Sequence, residues 1–190
     1  RGEYDKPDLT KPCEPSVPAQ VYPWKDTLPK NRLGLARWLT DPQHPLTSRV
    51  VINRLWAQVF GAGLVASSEN LGMQGDLPTH PELLDTLAVD FVRSGWNTKA
   101  MLRRFVLSAT FRQSSTPTAD SRERDPANLY LARGPVLRLT AEMVRDQALL
   151  ASGKLVEKVG GESVQESANR RSVYTYRKRT APPDNMLIFD

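Results

Sequence analysis

The chain has 190 residues, of which 39% are hydrophobic, and this is enough to bury the core of one domain. Its 26 basic and 21 acidic residues give a net charge of +5, which permits acidic partners without requiring them. Cys13 is the only cysteine and His44 and His80 are the only histidines, so an internal disulfide and a structural zinc site are excluded. We expect no metal and no cofactor. The sequence holds no apolar run that predicts a membrane span.

The first thirty residues are rich in proline. They contain six prolines, and the spacing of Pro12, Pro15 and Pro18 matches the three-residue turn of polyproline II. This pattern predicts a proline-rich arm or linker over residues 1–30. We expect residues 31–190 to form a single helical domain.

Helical patterns begin after the arm. Asn31 is typical of an N-cap and predicts a short first helix. A second helix is predicted from about Thr47 to Phe60, ended by Gly61, and its wide apolar face indicates a central position. The connection over 61–78 is long and irregular, and loops of this length are often functional.

Three further helix starts are predicted from capping residues. The run Thr79-His80-Pro81-Glu82 predicts a capping box at the start of a third helix that ends at Gly95. Asn97 predicts the cap of a fourth helix. Thr140 predicts the cap of another helix, which continues to about Ser152 before Gly153.

The remaining stretches are less regular. A surface loop is predicted over 113–128, the stretch 129–139 is ambiguous between strand and helix, and alternation over 172–179 predicts a strand. We therefore expect a mainly α fold. It would be an irregular helical domain of about five to six helices with long loops, the proline-rich arm and one small β ribbon at most.

Several segments resemble a known family. They are Asn31-Arg32-Leu33, Asn53-Arg54-Leu55-Trp56, Gly75 to Asp85, Gly95-Trp96, Ser108 to Gln113, Glu142 with Arg145-Asp146, Arg171 to Tyr174 and Lys178 to Pro183. Together they resemble the PSD-type domain of unknown function of planctomycetes. The resemblance implies a C-terminal module of large exported proteins that follows cytochrome-c-like domains, and a domain that the end of the chain at Asp190 cuts short. It also implies a periplasmic or cell-surface location and neighbouring domains of the same polypeptide as partners.

Glu142 and Asp146 form a pair of carboxylates one turn apart on a predicted helix, and such a pair needs a compensating group. One interpretation is an acid with a raised pKa beside an ionised base, as in a hydrolase, or an oxygen site for a divalent cation. The other is a structural ion network. Its arginines would be Arg145, with Arg54, Arg112 or Arg138.

His80 lies beside the irregular loop and could complete a catalytic set with Glu82 and Asp85. The capping box and the first helical turn already explain these two carboxylates. If the chain is an enzyme, the catalytic residues predicted are Glu142, Asp146 and His80.

Arg49, Asn53, Trp56 and Phe60 fall along one edge of the second helix. Two polar side chains beside two aromatic rings could line a groove for a sugar or a partner. The alternative is that Arg49 and Asn53 bond a neighbouring backbone while the rings pack in the core.

Basic and aromatic residues alternate near the end of the chain. On a strand, Tyr174 and Tyr176 would share one face, and Arg171, Arg177 and Arg179 would share the other. This separation argues against a nucleic-acid platform, where both types line one groove. It suits an acidic polysaccharide or an acidic partner domain, or arginines that pair with Glu142 and Asp146.

The leading functional hypothesis is a non-catalytic interaction module of an exported multidomain protein, which docks neighbouring domains or anionic glycan. A hydrolase-like part that uses Glu142 and Asp146 is the alternative, and nucleic-acid binding ranks last. The predicted ligand-binding residues are Arg171, Tyr174, Tyr176, Arg177, Arg179, Arg49, Asn53 and Trp56.

Overall fold

The computed structural model describes residues 10, 15–178 and 180, and within them the fold is mainly α, as the sequence predicted. Contacts divide the chain into two units, with unit 1 ending at Val136 and unit 2 beginning at Leu137. The helices are α1 (Arg32–Leu39), α2 (Thr47–Phe60), α3 (Pro81–Arg93), α4 (Thr98–Leu107), α5 (Ala119–Arg124) and α6 (Ala141–Ala151), and a short 3-10 helix covers Ser172–Tyr174.

The core of unit 1 forms where α2 packs against α3 and α4. Apolar side chains recur on one face of each helix at the helical period, so the three faces can be buried together. The buried members are Ile52, Trp56 and Phe60 on α2, Leu84, Leu87, Ala88 and Phe91 on α3, and Met101 and Phe105 on α4. The central position predicted for the second helix is confirmed.

Aromatic rings fill the middle of this core. Trp56 and Phe60 stack with their centroids 3.9 Å apart, and Phe105 meets Trp56 edge-on at 5.2 Å. Such pairs contribute roughly 0.5–1.5 kcal/mol each beyond the area they bury. Asn97 caps the start of α4, as predicted, because its side chain accepts from the Ala100 N–H.

The described part of the proline-rich arm, residues 15–30, lies in unit 1 near α1. The Trp38 indole donates to the Tyr22 carbonyl at 3.0 Å, and Lys25 pairs with Asp41 at 2.6 Å. Asn31 caps α1 through the Gly34 N–H, which confirms its predicted role. The polyproline spacing that begins at Pro12 lies partly outside the described residues, as does Cys13.

The capping box predicted at Thr79-His80-Pro81-Glu82 is wrong. α3 does begin there, but His80 occupies the N-cap position without a side-chain cap. The Thr79 hydroxyl donates instead to the Leu64 carbonyl at 3.2 Å, beside a backbone bond between the same two residues. The threonine therefore ties the irregular loop to the start of α3.

Two other predictions need correction. The stretch predicted as a surface loop over 113–128 contains α5, which has a true capping box between Thr118 and Ser121. The strand predicted over 172–179 is not formed in the described part, because Ser172–Tyr174 turns into a 3-10 helix. An isolated parallel bridge joins Val164 to Thr175. The ambiguous stretch 129–139 is neither helix nor strand.

The described part of unit 2 consists of α6 and a long loop that returns to it through the 3-10 helix. Thr140 caps α6 through the Met143 N–H, as predicted, and the helix ends at Ala151 shortly before Gly153. Among its described residues, the buried apolar side chain is Ala141, while Arg170, Ser172 and Thr175 are buried polar residues. Hydrogen bonds therefore carry a large share of the cohesion of this unit. In the described part of the chain, no helix has both the length and the apolar character needed to cross a membrane.

Candidate functional site

An open groove of about 780 Å³ runs beside α6 in unit 2. One wall is the exposed side of α6 and the other is the returning loop at 171–177. We call it the α6 groove; it is lined by Glu142, Met143, Asp146, Gln147, Arg171, Ser172, Val173, Thr175 and Arg177.

Arg145 holds the returning loop against α6. Its guanidinium donates to the carbonyls of Glu166 at 2.6 Å, Ala168 at 2.5 Å and Arg170 at 2.8 Å. The planar fork of arginine presents several donors in fixed directions, so a single side chain can bind three loop carbonyls. The bonds of Arg145 therefore define the loop wall of the groove.

Asp146 fixes the start of the 3-10 helix. Its Oδ1 accepts from the Ser172 N–H and from the Ser172 hydroxyl, both at 2.7 Å, and it lies 3.6 Å from Arg145. A carboxylate that accepts from a backbone N–H and a hydroxyl is held in one orientation. Asp146 is thus a structural acceptor beneath the groove.

Glu142 lies at the other end of the same helix face. Arg177 donates to its Oε1 at 2.5 Å. The pKa of Glu142 lies below its usual value because its own backbone N–H and the Thr140 hydroxyl donate to it, and because Arg177 adds a favourable charge. Its position in the first turn of α6 also favours the charged form.

These contacts bear on the catalytic interpretation of the pair. A general acid of the hydrolase type needs a raised pKa, whereas that of Glu142 is lowered. The Ser172 hydroxyl could be a nucleophile beside Asp146, but Ser172 is only 3% exposed. The arrangement offers charged and apolar binding groups more readily than an acid and base.

Two of the arginines proposed to compensate the pair, Arg145 and Arg177, make the contacts within unit 2. Among the described residues of this unit, Arg138 forms no ion pair with either carboxylate, and Arg54 and Arg112 belong to unit 1. Arg171, expected to pair with the same carboxylates, lies 3.7 Å from Glu157 instead. The returning loop, which is remote in sequence from α6, decides these partners.

The mouth of the α6 groove combines cations with exposed apolar groups. The side chains of Arg171 and Arg177 are each 52% exposed. Val173 is 79% exposed and Met143 is also exposed. Solvent-facing valine and methionine in the same groove as two guanidinium groups form a surface that an acidic and partly apolar ligand would complement.

The two predicted tyrosines have separate environments. Tyr174 packs against Arg170, whose guanidinium carbon is 4.1 Å from the ring centroid, and its hydroxyl accepts from the Gly160 N–H at 3.1 Å. Tyr176 is exposed and does not line the groove. Because the strand is not formed, the predicted division of tyrosines and arginines between two strand faces is wrong. Arg179 lies outside the described residues.

The predicted edge of α2 does not form one groove. Asn53 is fully buried and exchanges two hydrogen bonds with the Val65 backbone, at 2.9 Å and 3.0 Å. Trp56 lies in the core, while Arg49 pairs with Asp85 at 2.6 Å. The alternative, in which Arg49 and Asn53 are structural and the rings pack, describes these contacts.

His80 belongs to unit 1, whereas Glu142 and Asp146 belong to unit 2. Its Nδ1 is 3.0 Å from the Thr79 hydroxyl, and its ring meets Tyr130 edge-on at 6.3 Å. In the described residues, no group of three or more histidine, cysteine or acidic side chains is arranged to hold a metal ion.

Sequence reasoning missed five of the groove residues: Met143, Gln147, Ser172, Val173 and Thr175. Ser172 carries no signal of its own, because a serine in a predicted strand is ordinary. The signal for Met143 and Val173 is that they are apolar and exposed. Their exposure depends on the loop conformation that the Arg145 bonds impose, so the sequence does not show it.

The fold and the site define a mainly α protein with an arginine-held groove beside α6. The family model for PSD1, protein of unknown function (DUF1553), matches residues 31–190, so the chain belongs to this family. No curated protein and no solved structure matches the chain.

Proposed function

We propose that this chain is a non-catalytic interaction module in which the α6 groove binds an acidic, partly apolar peptide segment of a neighbouring domain. The observation that carries the proposal is which charged side chains of the groove already have partners within unit 2. Both carboxylates are engaged within unit 2, whereas the ion pair of Arg171 among the described residues is a 3.7 Å contact with the exposed Glu157. An incoming ligand therefore meets the half-exposed guanidinium groups of Arg171 and Arg177.

The charge of unit 2 supports an acidic partner. Residues 137–190 contain nine lysines and arginines against seven acidic residues. Exposed ion pairs such as Arg171 with Glu157 contribute roughly 0–1 kcal/mol, so a ligand carboxylate can replace the internal partner at little cost. Arginine can then bind that carboxylate through two parallel hydrogen bonds.

The apolar part of the groove favours a peptide over a polysaccharide. Val173 and Met143 offer aliphatic contact to leucine-like side chains. Sugar sites commonly use an aromatic face beside polar groups, and Tyr176 does not line this groove.

We propose that the neighbouring domain belongs to the same exported, cell-envelope polypeptide. The resemblance noted in the sequence supports this context, including cytochrome-c-like modules as partners. Acidic segments at the surface of such domains would be the natural ligands, and covalent connection would raise their effective concentration at the groove.

The test uses the full chain and two variants with matched exposure. Val173 and Val136 are both 79% exposed, but only Val173 lines the α6 groove. Binding of a synthetic peptide of alternating aspartate and leucine would be measured by calorimetry. We expect Val173→Asp to weaken binding about tenfold or more, since it adds a repelling charge and removes an apolar contact, while Val136→Asp leaves it unchanged.

Several outcomes overturn the proposal. They are no binding of the peptide, equal weakening by both variants, or preferred binding of polygalacturonate or single-stranded DNA. Polymer hydrolysis by the wild type that Glu142→Gln abolishes would establish the hydrolase alternative instead.

A further inference from the structure

His44 is buried at the corner between α1 and α2, where the arm packs. It is 7% exposed. Its ring meets Trp38 edge-on, with centroids 4.4 Å apart and an interplanar angle of 86°, and Tyr22 of the arm lies 5.5 Å away. The imidazole therefore lies between the arm and the start of α2.

The Nδ1 atom of His44 acts as the cap of α2. It accepts from the Leu46 N–H at 3.3 Å and the Thr47 N–H at 3.2 Å, and it lies 3.0 Å from the Thr47 hydroxyl. Leu46 at the N-cap position has no side-chain oxygen to satisfy these donors. Since a backbone N–H can only donate, Nδ1 carries no proton and the ring proton is on Nε2.

A second proton on this ring would have to bind Nδ1, which is unfavourable. The imidazolium has no acceptor atom, so the donors at the start of α2 would lose their partner, and a cation beside a helix N-terminus is disfavoured. Nε2 is buried and has no hydrogen-bond partner among the described residues. Burial lowers the pKa of His44, and the charge of Asp41 opposes this effect.

The surrounding charges do not compensate the imidazolium. Asp41 is engaged by Lys25 and by the Gln43 N–H. The titratable and charged groups that face His44 or line the same 280 Å³ cavity are Tyr22 and Lys25 from the arm, Asp41 from the α1–α2 corner, Arg49 from α2, and Asp85 and Arg93 from α3.

We propose that His44 is a pH-sensitive latch whose protonation releases the arm from the corner between α1 and α2 while the core of unit 1 remains folded. The contacts that hold the described part of the arm there include the Trp38 indole bond to Tyr22 and the pair of Lys25 with Asp41. The latch is closed while the ring is neutral. It opens as the pH falls below the ordinary histidine value of 6.5 towards the lower value of the folded protein.

The test is an NMR titration of the full chain from about pH 7.5 to about pH 4.5. We expect the Trp38 indole and the Leu46 and Thr47 amides to shift together with the His44 ring, at a midpoint below 6.5. Amides of α3 should stay unchanged. In His44→Asn the Oδ1 replaces the acceptor without titrating, so the transition should disappear, whereas His80→Asn should retain it.

Three results would overturn the latch. The Trp38 and Leu46 signals could stay fixed while His44 titrates, the transition could persist in His44→Asn, or the α3 amides could be lost at the same pH as the arm contacts. If His44→Asn does not fold, the wild-type titration decides alone, because the His44 ring carbons report its midpoint directly.

Discussion

Unit 1 and unit 2 are each stabilised by a different kind of interaction. The α2–α4 core of unit 1 is apolar, with rings stacked at 3.9 Å and apolar faces on three helices. The described part of unit 2 buries Ala141 as its apolar residue and gathers its loop through the guanidinium groups of Arg145 and Arg170. Apolar packing is fixed by the helical period, whereas the guanidinium bonds depend on where a distant loop returns.

This difference bears on function as well as on stability. Apolar faces that pack against each other leave few exposed groups that could bind a ligand. The fully buried Asn53 bonds the Val65 backbone of the 61–78 loop and does not line a binding site. The hydrogen-bonded loop of unit 2 leaves aliphatic and cationic groups at the surface. A unit held by polar bonds can therefore present a binding groove without a large core beneath it.

The largest effect is expected from opening the core of unit 1. Phe91 is 2% exposed and packs edge-on against Trp96 at 5.3 Å. Phe91→Ala should lower the free energy of unfolding by roughly 3–5 kcal/mol, because it removes buried area and leaves a cavity. Urea denaturation would measure this.

The control for that change lies on the same helix. Val89 on α3 is exposed, so Val89→Ala should change the free energy of unfolding by less than about 0.5 kcal/mol. Equal losses in the two variants would show that the apolar face assigned to α3 is wrong.

The next effect is expected from Arg145→Lys. Lysine keeps the charge but cannot bind the carbonyls of Glu166, Ala168 and Arg170 together. We expect a local loss of about 3 kcal/mol, read as faster hydrogen exchange of the Val164 and Tyr176 amides. Arg138→Lys, at an exposed position, is the matched control. Unchanged exchange in Arg145→Lys would remove the contrast between the units.

A smaller effect is expected where unit 1 itself relies on polar bonds. Asn53→Ala leaves the Val65 N–H and carbonyl without their partner, at a cost of about 2 kcal/mol. Hydrogen exchange at Val65 would reveal a loosened loop over 61–78. If Val65 stayed protected, the loop would owe its position to the Thr79 bond with Leu64 instead.

The smallest effect is expected for Glu142→Gln. The folded protein lowers the pKa of Glu142, so its charge contributes stability above the ordinary value of 4.5, and the contribution is lost as the pH falls through the lower folded value. At neutral pH the cost should be below about 1 kcal/mol. Unfolding curves at several pH values would show the two proteins converging in acid. A difference that grows in acid would contradict the assigned direction.

Local signals in the sequence predicted the helices well. Asn31, Asn97 and Thr140 were recognised as caps because their side-chain oxygens satisfy first-turn donors. The cap of α2 was missed, since a histidine two residues before Leu46 serves in place of the usual residues. The predicted box at Thr79 failed because its hydroxyl bonds Leu64, a partner remote in sequence.

The groove was only partly predictable for the same reason. Glu142 and Asp146 were singled out by their spacing, and the need for arginine partners followed from charge alone. Which arginines supply it depends on the path of the returning loop. The strand expected over 172–179 failed because Asp146 binds the Ser172 N–H and hydroxyl where the chain turns into its 3-10 helix.

The most direct measurement is an NMR map of the aspartate–leucine peptide on the isotope-labelled full chain. Amide and methyl shifts confined to Met143, Val173 and the flanking residues of the α6 groove, and weakened by added salt, are the expected result. Shifts located in unit 1, or no shifts even with the peptide in large excess, would contradict a docking groove in unit 2.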